Sequence, residues 1–167
     1  MTRIHYVLGD ATKPSLHGHD GVVIAHVCNN VGAWGAGFVV PLAEAFPLSE
    51  LEYHRWRHDW MTSGLGQPFQ LGEIQFVWGN DNVRVLNMIA QDHLPTRTRR
   101  MALSYGALRR TLLAGARAMA EFDAAMVMPR IGCGIAGGDW EKVEEIIVDT
   151  VCDLHGVPVY VYDLPKK

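Results

Sequence analysis

The stretch Val22-Val23-Ile24-Ala25-His26-Val27-Cys28-Asn29, followed by Gly35-Ala36-Gly37, decides the fold class of this chain. Residues 22–28 are nearly all apolar, as expected for a central strand buried on both faces. The glycines after it let the backbone turn tightly and approach a ligand closely. The device recurs in Ala125-Met126-Val127-Met128-Pro129-Arg130-Ile131-Gly132-Cys133-Gly134-Ile135-Ala136-Gly137-Gly138, another apolar run that ends in glycines. Strand, glycine turn and helix in succession bring backbone N–H groups against phosphate oxygens. Each turn taken alone also reads as an ordinary βα connection that needs a positive φ. Together they point to a ligand held from two sides, such as a diphosphate.

Working outward, residues 4–8 read as a first strand closed by Gly9-Asp10, and 11–20 as a polar loop. A short helix through Ala43-Glu44-Ala45-Phe46 stops near Pro47, and Ser49 is placed to cap a second helix over 50–60. Residues 69–78 and 83–89 are strand candidates joined by the hairpin-type turn Gly79-Asn80-Asp81-Asn82. The proline-free run 98–121 carries apolar residues near helical spacing and predicts one long helix. Residues 124–128 are a buried strand. Asp139 opens a last helix that ends at Gly156, with Glu141 favourable at its positive end. Residues 157–162 make the final strand. The order β, β, α, α, β, β, α, β, α, β implies a three-layer α/β/α domain with a mixed, mostly parallel sheet. Ligands in such sheets sit beyond the carboxyl ends of the strands, where both glycine turns fall.

Composition sets the outer bounds. A chain of 167 residues fits one domain with a sizeable core. A formal net charge of −3 argues against broad electrostatic binding to duplex nucleic acid or an anionic membrane. Arg97, Arg99, Arg100, Arg109 and Arg110 gather in one region, which reads as a solvated helix face and the loop before it. No run approaches a membrane span, and Met-Thr-Arg-Ile-His-Tyr carries no secretory pattern, so a cytoplasmic location is expected. Cys28, Cys133 and Cys152 are odd in number, suiting a reducing compartment, and lack zinc spacing. His17-Gly18-His19-Asp20 reads as a polar loop rather than a metal clip, and no metal is expected.

These motifs resemble the macrodomain family, the ADP-ribose-binding modules. Gly9-Asp10-Ala11-Thr12 resembles the family's Gly-Asp-hydrophobic-Thr signature. Asn29 stands eight residues before Gly37, as the family's ribose-contacting Asn does relative to its first glycine loop. Met128-Pro129-Arg130-Ile131-Gly132-Cys133-Gly134 resembles the second phosphate loop. Ala25-His26, Gly35-Ala36-Gly37, Pro129-Arg130-Ile131-Gly132-Cys133-Gly134 and Trp140 are similar to the terminal ADP-ribose protein glycohydrolase subgroup. The resemblance implies that residues 1–167 form one macrodomain. It gives Asp10 the adenine amino group, Ala11 N–H a ring nitrogen, and Asn29 the distal ribose hydroxyls. It places Gly35, Ala36, Gly37 and Phe38 on one side of the diphosphate and Gly132, Cys133, Gly134, Ile135 and Ala136 on the other. Tyr162 borders the adenine, or packs at the end of a core strand. Cys133 has no evident basic partner and is not expected to be a nucleophile.

The chain departs from the subgroup where the chemistry lies. Gln91 stands at the position of its catalytic lysine and Ala136 at that of its aspartate. Neither can attack the anomeric carbon or move a proton as those residues do. The expected activity is therefore release of ADP-ribose from ester-linked Glu or Asp side chains by a positioned water, with Asn29 and Gln91 as the catalytic candidates. A non-catalytic ADP-ribose reader and an ADP-ribose 1″-phosphate phosphatase are the alternatives. Asp139 reads as a helix cap before a base, and the sequence leaves Asp92 and His93 unplaced. ADP-ribose and ADP-ribosylated proteins are the expected partners of a monomer, without cofactor, membrane or nucleic acid.

Overall fold

The computed structural model describes residues 3–166. Along the chain run β1 (Ile4–Leu8), β2 (Gly21–Asn29), α1 (Val39–Ala45), α2 (Leu48–Ser63), β3 (Ile74–Asn80), β4 (Val83–Gln91), α3 (Tyr105–Met119), β5 (Ala124–Met128), α4 (Trp140–Ile147) and β6 (Val159–Asp163). The end of α4 widens into a π-helical turn, Val148–Asp153. The sheet order is β1-β6-β5-β2-β4-β3. Every neighbouring pair is parallel except the β3–β4 hairpin. The architecture is the expected three-layer α/β/α sandwich with a mixed, mostly parallel sheet.

Period-2 alternation along β2 divides its side chains between two cores. Val23 and Ala25 pack beneath α3 and α4, with Leu108, Leu112, Val143 and Ile147. Val22, Ile24 and Cys28 pack beneath α1 and α2, with Leu42, Tyr53 and Trp56. A strand buried on both faces has to be apolar throughout, which is why residues 22–28 read so plainly. Among the described residues, no helix is long and apolar enough to cross a membrane.

Three of the boundaries that differ from the sequence reading have causes visible in the structure. α2 begins at Leu48 directly after Pro47, whose fixed φ suits a helix start. Ser49 lies inside that helix, wholly buried, and its hydroxyl donates to Phe46 O at 2.6 Å instead of capping. β3 begins at Ile74 and not at Phe69, because Gly72 turns the chain at φ +92. Phe69 instead packs edge-on against Tyr53 and Trp56. The long helix begins at Tyr105, because Ser104 accepts from Ala107 N at 3.1 Å and ends the preceding segment.

That segment has another use. Ala102 N and Leu103 N both donate to Ala136 O, at 2.9 and 3.1 Å, and Ser104 N donates to Ala90 O at 2.8 Å. It ties the carboxyl end of β4 to the second glycine loop, so these N–H groups were never available to a helix. Replacing Ser104 by Ala is expected to lower unfolding free energy by about 1 kcal/mol, the usual loss for an N-cap. Urea denaturation checks this through a lower midpoint at unchanged slope.

Candidate functional site

A cleft of about 590 Å³ opens at the carboxyl edge of the sheet. Asn29 and Gln91, Gly35 to Val39, and Pro129 to Gly132 with Gly134 to Ala136 line it. β2 and β4 slip register after Cys28 and Ile89, so that Asn29 comes opposite Gln91. Ala90 is thereby left over as a bulge, a device that re-aims strand ends. Both predicted catalytic candidates are buried side by side in the cleft lining.

The two glycine loops form opposing walls. Gly37 and Gly132 take φ of +83 and +72, a region nearly closed to other residues. A Cβ on Gly37 would lie 3.2 Å from Ile135 Cδ1, so the walls meet across the mouth. Among the described residues, the N–H groups of Gly35, Ala36, Gly37 and Phe38 find no protein acceptor. The same holds for Gly134, Ile135 and Ala136 on the facing wall. Partly exposed backbone donors arranged this way form anion-binding concavities. Arg130 is the one permanently charged residue in the lining. Its guanidinium is held bidentately by Asp163 at 2.8 and 3.0 Å, over the rings of Tyr6 and Trp140. The attraction for an anion therefore rests on backbone amides rather than on a free cation.

No protein-family model matches the chain. A solved structure of a macrodomain protein from Streptomyces coelicolor is 38% identical, with a TM-score of 0.81, over 96% of this chain and 99% of its own. The chain is a macrodomain. A Bacteroides thetaiotaomicron protein of unknown function is 36% identical with a TM-score of 0.87, covering 98% of this macrodomain and 99% of its own chain. A curated Candida albicans relative named ADP-ribose 1″-phosphate phosphatase is 25% identical over 152 residues, 86% of this chain and 91% of its own.

Within the macrodomain, Asn29 is more committed than its sequence position suggests. Its Oδ1 accepts from Val31 N and Ala33 N at 3.1 and 3.0 Å, its Nδ2 donates to Ala33 O at 2.8 Å, and Tyr53 OH donates to its backbone carbonyl at 2.6 Å, with Oδ1 3.0 Å from the same hydroxyl. The side chain builds the turn that launches the first glycine loop, and one amide proton remains for a ligand. Gln91 donates through Nε2 to His93 O at 2.9 Å. Its Oε1 has no protein donor among the described residues.

The remaining predicted residues fall partly outside the cleft. Asp10, Ala11, Cys133 and Tyr162 do not belong to its lining. Asp10 Oδ1 accepts from Thr12 N and Thr12 Oγ1 at 2.9 and 2.7 Å, a turn-capping arrangement. Those bonds hold its carboxyl below the ordinary range. Tyr162 is buried at the end of its strand, with its hydroxyl 3.2 Å from Ser15 N and 2.5 Å from His17 Nε2. His17 also stacks on Tyr160 at 3.7 Å, so the loop read as polar is partly a packing element. The Cys133 thiol donates to Ile131 O at 3.3 Å, and burial pushes it up to about 11, leaving little thiolate. Asp139 caps α4, accepting from Glu141 N at 3.0 Å.

One feature of the cleft escaped the sequence reading. His26 lies at its base, fully buried between Trp34 and Phe38 on one side and Asn87 on the other. Asn87 Nδ2 donates to Ser49 O and Gln75 Oε1 at 3.1 and 3.0 Å, and Gln75 Nε2 donates to Glu52 O at 2.9 Å. Backbone carbonyls can only accept, so they polarise the whole chain of bonds. Asn87 Oδ1 must then accept from His26 Nε2–H at 2.5 Å, which in the neutral imidazole leaves the lone pair on Nδ1. The signal available in sequence was Asn87 itself, a polar residue inside the apolar run Leu86-Asn87-Met88-Ile89. Nothing in the sequence points to Tyr53.

Burial holds His26 down at about 4, whereas an unfolded histidine titrates near about 6.5. The unfolded chain therefore takes up the proton first as pH falls. The stability that neutral His26 supplies is complete above about 6.5 and is lost progressively toward about 4. The melting temperature is expected to fall across that window. His26→Gln, which keeps a donor for Asn87 and does not titrate, is expected to flatten part of the slope in calorimetric melts at stepped pH.

Proposed function

We propose that this macrodomain binds ADP-ribose in the cleft and releases it from ester-linked glutamate or aspartate side chains through a positioned water. The observation that carries the reading is the pair of facing loops with unpaired N–H groups, ending at Asn29 and Gln91. Two anionic phosphates suit donors on opposite walls. The distal ribose then extends toward the paired amides, which both donate and accept. No lysine lines the cleft, and Ala136 carries no side-chain acid, so a covalent lysine route has no nucleophile there. A water delivered to the anomeric carbon needs orientation above all. Gln91 Oε1, free of protein partners, suits that task.

The name of the Candida albicans relative favours a second reading, attack of the same water on an ADP-ribose 1″-phosphate. Incubation with a glutamate-ADP-ribosylated protein and, separately, with the 1″-phosphate tests the two. Free ADP-ribose from the first supports the main reading, and inorganic phosphate from the second supports the alternative. Tight ADP-ribose binding with neither product would make the domain a reader. Borohydride is expected to trap no sugar on any lysine.

Binding has its own test. Gly134 has open space where a Cβ would be, and it does not need a positive φ. Gly134→Glu is therefore expected to keep the melting temperature while abolishing ADP-ribose binding by charge and bulk. An unchanged affinity by calorimetry in that folded variant would remove the two-wall diphosphate site. Gln91→Ala is expected to cut turnover by roughly 10- to 100-fold, the scale of a misplaced reactant, with a smaller effect on ADP-ribose affinity.

A further inference from the structure

From His93 to Ala120 the chain carries six arginines and no carboxylate, in a protein whose formal net charge is −3. Their uses differ. Arg109 pairs with Asp149 at 2.6 Å, and Arg110 donates to Leu71 O at 3.2 Å. Arg117 lies in the last turn of α3, where a positive charge suits the helix dipole. Arg99 pairs with Asp92 at 3.0 Å. Arg97 and Arg100 are exposed and have no ion-pair partner among the described residues. These two stand on the rim of the cleft. Leu94 and Pro95 belong to its lining and lead directly into Arg97. Thr96 N donates to Arg99 O at 2.7 Å and Arg99 N to Thr96 Oγ1 at 3.0 Å, closing 96–99 into a turn. The Arg100 carbonyl lies 2.8 Å from where a Cβ on Gly137 would stand, beside Ala136 of the second wall. The root of the loop is fastened by His93 N to Asn30 Oδ1 at 2.8 Å, Gln91 Nε2 to His93 O at 2.9 Å and Asp92 N to Ala102 O at 2.8 Å. The backbone beneath both charges is thus held before any partner arrives, which lowers the ordering cost of binding.

We propose that loop 94–101 is the docking surface for the protein segment that carries the ADP-ribose, and that Arg97 and Arg100 select segments with further Asp or Glu residues beside the modified one. The inference rests on ADP-ribose lying in the cleft with its distal ribose at Asn29 and Gln91. With the phosphates between the glycine walls, whatever is attached to that ribose leaves the cleft at Gln91, and the loop continues directly from there. Guanidinium groups stay charged at any working pH and hold carboxylates through paired N–H donors. Leu94 and Met101, both exposed, bracket the arginines and offer apolar contact to a polypeptide. A nucleic acid fits less well, because two exposed arginines on an acidic protein neutralise few phosphates.

Two peptides test this, each carrying ADP-ribose through a stable N-glycosidic link to a glutamine. One has Asp and Glu on both sides of that glutamine, the other Asn and Gln. Calorimetry is expected to show the wild type binding the acidic peptide roughly 10-fold more tightly at low salt, the scale of two exposed ion pairs. The preference is expected to vanish at about 1 M salt, where the Debye length is about 3 Å. It is also expected to vanish in the double variant Arg97→Ala, Arg100→Ala and to reverse in Arg97→Glu, Arg100→Glu. Both side chains are exposed, so melting temperature and affinity for free ADP-ribose are expected to stay at wild-type values in each variant. Equal binding of the two peptides by the wild type overturns the docking surface, as does a preference that survives in the folded alanine variant. So does tighter binding of an ADP-ribosylated oligonucleotide than of the acidic peptide. Because the link is not hydrolysed, absence of ester turnover overturns the hydrolase reading alone and leaves these affinities decisive. A wild type that does not bind free ADP-ribose overturns both.

Discussion

Everything in this molecule depends on β2 being buried from both sides. A strand at the centre of a parallel sheet must satisfy its backbone sideways and its side chains above and below, and β2 does this through β4 and β5 and through two separate cores. That confinement ends at Asn29. Beyond the last ladder bond, backbone donors have either to find new acceptors or to face solvent. The chain divides the work. Asn29 Oδ1 gathers the N–H groups of Val31 and Ala33, and Ala136 O gathers those of Ala102 and Leu103. The donors left over are those of the glycine walls, concentrated where the two loops face each other. The candidate anion site is thus a product of how the sheet edge is closed.

The buried polar chain beneath the cleft shows the same economy. Partly satisfied networks are costly in a low-dielectric interior, while fully satisfied ones make a region rigid. Running from Glu52 O and Ser49 O through Gln75 and Asn87 to His26, this one ties α2 to β3, β4 and β2. It ends directly beneath the first glycine loop, against Trp34 and Phe38. Trp34 in turn donates to Val39 O at 3.0 Å, closing that loop into the start of α1. The wall is therefore supported from below by directional bonds rather than by apolar packing alone.

The fold was largely legible because its strands obey simple periodicity. Residues 4–8 and 124–128 appear with the same limits that their apolar runs suggest, and the helix from Asp139 starts at its cap. Two of the misplacements show local propensity silent about tertiary demand. Residues 98–104 contain no helix breaker, yet the N–H groups of Ala102, Leu103 and Ser104 are claimed by the second glycine loop and by β4. Phe69 has strand character, yet it is claimed by Tyr53 and Trp56. At the site, the glycine walls were legible because a positive φ leaves a mark in composition. The amide pairing of Asn29 with Gln91 was not, since it depends on a bulge between strands far apart in sequence.

Beside that bulge, Gln91 stands where the resembling subgroup carries a lysine. A lysine there would bring a flexible stem and a charge into a buried corner, at a desolvation cost unless it were paired. Glutamine in that corner instead donates to His93 O and thereby fixes the loop that carries Asp92 and His93. Glutamine at this position also offers no amine nucleophile. Bonds to Asn30, Gln91, Arg99 and Ala102 fix that loop to the strand end that positions Asn29 and to the segment that holds the second glycine loop.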